Sequence, residues 1–208
     1  MSSAHESEWR INPKLFKEFA IICVDLVQRL EGRVLDYSPE SLLVVDNVIN
    51  RHWPRDFFKG IEPSKAISLE TISKGSERSG EFLTLLILIF GSYCGEVLIK
   101  SFGADWEKDE HCMFGWCVKT PLNLMFQVFH IADESLRESP KLYGTFLMAA
   151  TYQKIIRDNG HDALKDPKLV ADTFGNLLSS RMDFIKKVLG PRDRLPDYQF
   201  FLLPSGES

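Results

Sequence analysis

A single carboxylate, Glu96, interrupts the apolar run from Phe82 to Phe102, F-L-T-L-L-I-L-I-F-G-S-Y-C-G-E-V-L-I-K-S-F. Helical spacing places Leu85 and Ile89 on its side, so a partly desolvated carboxyl with a raised pKa is expected there, suited to proton transfer or ligand binding. With Tyr93 one turn earlier and Trp106 just beyond the helix, Glu96 defines a candidate ligand pocket between this helix and the segment that follows. The competing arrangement is a Glu96–Lys100 pair at i, i+4 in solvent. Gly91 and Gly95, also four residues apart, open one helix face to close approach by another backbone or by a ligand.

His111, Cys112, Cys117 and His130 are of the types that bind zinc. Their spacing argues against it. With a strand over 113–119, alternation sends Cys112 and Cys117 to opposite faces, and the chain holds no C-x-x-C pair. No metal and no cofactor are assigned. Cys94 or Cys117 as a nucleophile would need a positioned histidine and an electropositive setting, neither visible in the sequence. His52 and His161 have no pattern that gives them a role, so no catalytic residue is assigned. Aromatic residues gather at Trp106, Phe114, Trp116, Phe126 and Phe129. On a strand, Phe114, Trp116 and Val118 share a face. If left uncovered, that face is an aromatic platform for a protein partner.

These side chains must be held by helices and a small sheet. Asn12-Pro13 is an N-cap followed by proline at the first helical position, and apolar residues recur from Leu15 to Leu30 with helical spacing until Gly32. Ser38-Pro39 repeats the signal for a helix through Leu42, Val45, Val48, Ile49 and Trp53, stopped by Pro54. Residues 54–80 form a long connection punctuated by proline and glycine, with one short helix near Glu62 to Ser73 and the greatest expected mobility. The central helix spans Glu81 to Phe102. Trp106, Met113–Lys119 and Leu122–Val128 then read as an antiparallel hairpin or three-stranded meander. Ser139-Pro140 and Asp166-Pro167 restart helices, the last burying Val170, Phe174, Leu177, Met182, Ile185 and Val188. Residues 1–11 are expected to be disordered. The apolar tail from Leu195 to Pro204, within 195–208, is expected to pack on its own domain or on a partner.

A net charge of -4 over 208 residues, with no run of Lys and Arg, disfavours nucleic acid as a partner. The apolar run is broken by Gly91, Ser92, Gly95 and Glu96 before reaching the roughly 18 residues of a membrane span, so no membrane role is expected. The N-terminus lacks a basic, then apolar, leader pattern, and the four cysteines lie mostly in apolar patterns, as reduced thiols do. A cytoplasmic location follows as the expectation, and structural disulfides are not expected.

Two segments carry a resemblance. Asp36-Tyr37-Ser38-Pro39-Glu40-Ser41-Leu42 with Val45-Asp46, and Gly91-Ser92-Tyr93-Cys94-Gly95-Glu96-Val97-Leu98 followed by Gly103-Ala104-Asp105-Trp106, resemble a loose group of uncharacterised bacterial domains. The likeness, Y-S-P-E-S-L and G-x-Y-x-G-E-V, covers about residues 35–130, and the first helix and the region beyond about Tyr152 look like additions. It implies a bacterial cytoplasmic protein of unassigned activity, akin to small accessory or immunity-type proteins, and brings no catalytic residue.

The expected fold is α+β and mostly α-helical, one domain over 1–208, with a central buried helix and a small antiparallel sheet. The leading functional expectation is a non-enzymatic protein-binding module, such as an immunity-like antagonist. A small-molecule site or enzyme around Glu96, Tyr93 and Trp106 is the second reading, and self-association into a homo-oligomer the third.

Overall fold

The side chain of Asn12 accepts hydrogen bonds from the backbone N–H groups of Lys14 and Leu15, which with Pro13 starts α1 (Pro13–Glu31). Gly32 ends it in a left-handed conformation, φ 67°. Phe16, Ala20, Cys23 and Val27, spaced at four, three and four, form its buried stripe. The computed structural model describes residues 12–64, 79–190 and 193–194. The expectations for 1–11, for a helix reaching Ser73 and for the tail beyond Arg194 lie outside the described residues.

The second helix, α2 (Ser41–His52), begins later than Ser38-Pro39 suggested, because residues 39–40 form a turn and Ser38 Oγ accepts the Ser41 N–H at 3.3 Å. It is buried over nearly its whole circumference from Ser41 to Ile49, including Asp46 and Asn47. In the connection that follows, Phe58 is wholly buried. Its two described ends meet: Ser64 N–H donates to Gly80 O at 3.1 Å and Thr84 Oγ1 donates to Ser64 O at 3.0 Å.

The central helix, α3 (Gly80–Phe102), is capped by Ser79, whose side chain accepts the Phe82 N–H, and is closed by left-handed Gly103. Among the described residues it alone is long and apolar enough to cross a membrane, yet 78% of its apolar window is buried inside the fold. It is the core helix. The chain then lays down β1 (Asp105–Lys108), β2 (Trp116–Lys119) and β3 (Met125–Phe126) as an antiparallel meander in that order. The register pairs Trp106 with Val118 and Lys108 with Trp116, then Val118 with Phe126.

A helix with no sequence signal, α4 (Val128–Arg137), follows at once, without a side-chain cap. The segment read as strand through Val128 therefore ends at Phe126, and Val128 and Phe129 turn inward as helical residues. Then come α5 (Leu142–Asn159) and α6 (Pro167–Val188), the latter capped by Asp166 as the Asp-Pro signal required. Of the six α6 residues expected to be buried, only Phe174 and Ile185 are fully so. α3 lies between α1 and α4, α5 packs on α6, and α2 touches both groups, so one core runs from Phe16 through Phe90 to Phe146 and Ile185. The protein is α+β, mostly helical, built around a buried central helix.

Candidate functional site

Over Gly95 of α3 sits the indole of Trp106 from β1. A Cβ on Gly95 would lie 2.5 Å from Trp106 Cζ2, and one on Gly91 would lie 2.5 Å from Cδ1 of Phe129 in α4. Gly95 thus admits an aromatic ring, whereas Gly91 admits both the ring of Phe129 and its backbone, whose Cα would lie 3.1 Å from an added Cβ. The rings form one stack: Trp106 on Phe129 with centroids 5.6 Å apart at 13°, and Phe16 of α1 within 4.3 Å of Trp106 and 5.1 Å of Phe129. Trp106 Nε1–H donates to Glu96 Oε1 at 3.0 Å, so the polar end of the indole finds its partner in the half-buried carboxylate. Lys100 instead donates to Asp36 O at 3.1 Å. Neither the solvent pair nor the ligand pocket expected at Glu96 is what this seam contains, because protein side chains occupy the space over Gly95.

Tyr93 is fully buried and ties α3 to the entry of α2. Its hydroxyl lies 2.6 Å from Ser41 Oγ and accepts the Tyr37 N–H at 3.1 Å. Burial pushes its pKa up, removing it as an acid or base at ordinary pH. The Y-S-P-E-S-L segment and Tyr93 are therefore one packing unit.

The aromatic platform is also corrected. Val118 is fully buried, and Trp116 is half-buried with its ring 5.9 Å from Phe16 at 79°. Phe114 is not on a strand. It lies in a 3-10 turn, Met113–Gly115, with φ 58°, and meets Phe129 edge-on at 5.4 Å. α1 and α4 pack over the face that Phe114, Trp116 and Val118 were expected to expose.

That same turn overturns the alternation argument for the cysteines. The strand starts at Trp116, so Cys112 obeys no strand register, and two consecutive left-handed residues, Phe114 and Gly115 (φ 72°), carry the chain between the cysteines. Asp109 N–H donates to Gly115 O at 3.0 Å, Gly115 N–H to Cys112 O at 2.8 Å, and His111 N–H to Asp109 Oδ1 at 2.9 Å. The thiols of Cys112 and Cys117 and the Asp109 carboxylate come within 4.8 Å of one another. Both thiols are buried; desolvation pushes Cys112 up and, with Cys112 adjacent, Cys117 up to about 12. His130 lies on α4, 3.3 Å from Glu134.

Asp46 was not singled out by any spacing. It is 1% exposed, and its two carboxylate oxygens accept the N–H groups of Leu142 and Tyr143, each at 3.0 Å, capping α5 from another helix. Burial raises its pKa to about 7 against the lowering effect of these two bonds. Its signal was a lone acid in the apolar run L-L-V-V-D-N-V-I, where a carboxylate must find buried donors. No protein-family model, no curated protein and no solved structure matches the chain.

Proposed function

We propose that the protein is a non-enzymatic binding module whose contact surface is the outer flank of α1 and whose partner is an amphipathic helix of another protein. One observation carries this reading. Leu15, Phe19, Ile22, Leu26 and Leu30 recur at i, i+4, i+7, i+11 and i+15 beside the buried stripe, with Ile22 44% and Leu30 38% exposed and the others half-buried. Val34, 75% exposed, extends the apolar edge beyond the helix end. By the helical rise the stripe is about 22 Å long, the span of some four turns of a docked helix. The occupation of the seam by Trp106 supports binding over catalysis, because its N–H already engages Glu96 Oε1 and its ring fills the space over Gly95. The free buried thiols and the motif resemblance support the accompanying reading of a bacterial cytoplasmic protein, immunity-like in type.

The test places a photo-crosslinking residue at exposed Glu18, one turn before Ile22 at the border of the stripe, and at exposed Lys186 of α6 as a control, in the full chain expressed in its host. A defined adduct from position 18 that disappears with Ile22→Glu, and is missing from position 186, is the expected result. Equal adducts from both positions, or none, would refute the assignment. An adduct of twice the chain mass would replace the heterologous partner by a second copy.

A further inference from the structure

The β1–β2 turn holds the one group of side chains among the described residues that converges in the manner of metal ligands. We propose that Asp109, Cys112 and Cys117 form a zinc site whose fourth position opens to the surface. Two sulfurs and one carboxylate oxygen within 4.8 Å of one another lie near a tetrahedral arrangement. Zinc bonds of about 2.3 Å to sulfur and about 2.1 Å to oxygen require edges of roughly 3.5 to 3.8 Å. Rotation of the side chains by less than about 1 Å closes the gap, and the thiols release their protons to solvent as the metal–sulfur bonds form.

The turn is constructed so that this convergence occurs. Phe114 occupies a left-handed conformation, φ 58°, that side chains rarely adopt. Together with Gly115 it shortens the path from Cys112 to Cys117, and the bonds from Asp109 N–H to Gly115 O and from Cys112 N–H to Asp109 O, each 3.0 Å, fix Asp109 on the same side. Outside the cluster, Glu107, Lys108, Asp109, Glu110, His111 and Met125 line an open depression. Three of these six are acidic, which favours entry of a cation, and the depression leaves solvent or the exposed His111 to complete the coordination. Two thiolates with one carboxylate form a donor set that prefers zinc to the hard ions calcium and magnesium.

The experiment uses the full chain, reduced with a phosphine, stripped with chelator and titrated with cobalt(II) chloride, then with zinc chloride. The expected result is a thiolate-to-cobalt charge-transfer band that saturates at one equivalent and is displaced by zinc. Cys112→Ser, at the surface edge of the cluster, should abolish the band while leaving the circular dichroism unchanged. Because a variant at Cys117 tests folding as much as binding, alkylation of wild-type Cys112 by iodoacetamide is followed by mass spectrometry with and without saturating zinc. Protection supports the site. No charge-transfer band, a band that survives Cys112→Ser, or alkylation at the same rate with zinc present would each overturn it.

Discussion

At the seam between α3 and the sheet, Trp106 covers Gly95 and its N–H engages Glu96, while at the β1–β2 turn two thiols and a carboxylate face one another beneath a surface depression. Both regions contain residues of catalytic type within about fifteen positions of each other. They differ in what satisfies the polar groups. In the seam, the indole N–H of Trp106, one oxygen of Glu96 and the Tyr93 hydroxyl each meet a protein partner, so these groups are engaged by the fold. In the turn, Asp109 Oδ1 accepts the His111 N–H and the Cys117 thiol donates to Glu107 O at 3.7 Å, yet the two thiols and the carboxylate still converge on one another. Helical spacing therefore reports packing well, and the groups left available for chemistry are those set by irregular backbone.

The steepest change expected comes from a carboxylate outside both regions and fixes the background against which they are compared. Asp46 has a folded pKa of about 7 against 3.8 when exposed. The fold binds its proton more tightly, so the contribution of Asp46 to stability is full below about pH 4, is lost as pH rises through about 7, and is level above. The decline amounts to at most about 4 kcal/mol. Urea unfolding between pH 4 and 8 measures it, and Asp46→Asn should flatten the slope; a slope unchanged in that variant would remove Asp46 as its source.

Within the seam, Trp106→Ala removes a ring that touches α1, α3 and α4 and strands Glu96, with an expected loss of about 3 kcal/mol in chemical denaturation. Trp106→Phe should lose only about 1 kcal/mol, the share of the N–H bond. A Trp106→Ala midpoint equal to wild type would show that the seam is not packed as described.

Glycine offers a sharper version of the same contrast. Gly95→Ala gains about 1 kcal/mol of helix propensity yet must displace the indole, so a net loss of about 1 kcal/mol is expected. Gly175→Ala in α6, where a Cβ would meet nothing within 4 Å, should gain about 1 kcal/mol. Thermal midpoints that move in the same direction for both would break the comparison.

The smallest expected effect belongs to the turn. Without metal, Cys112→Ser should change stability by less than about 1 kcal/mol, since Cys112 sits at the edge of the core. A loss as large as that of Trp106→Ala would make the turn a second packing site.

Much of the frame was legible. Asn12-Pro13 and Asp166-Pro167 start α1 and α6 as their chemistry requires, and Gly32 and Gly103 end helices in the left-handed conformation that glycine tolerates best. The apolar run centred on Phe90 became the core helix. The short helix α4 was not legible, for it lacks a capping side chain and its aromatic, branched start reads equally as strand. Phe114, Trp116 and Val118 were misplaced for a related reason. A left-handed phenylalanine breaks the alternation on which their shared face depended, and no residue type announces that conformation.

What the sequence determined by itself was local: where α1 and α6 start, where α1 and α3 stop, which stripe of α1 turns inward, and that one helix is apolar enough for the core. Those features follow from capping, spacing and hydrophobicity within a few residues. The tertiary structure alone decided that Asp46 caps a helix 96 residues away, that Trp106 fills the notch at Gly95, and that Cys112 and Cys117 meet Asp109. Each of these depends on the close approach of surfaces whose partners are chosen by packing the whole chain, and burial then drives most polar groups to a donor or acceptor wherever the fold brings one within reach.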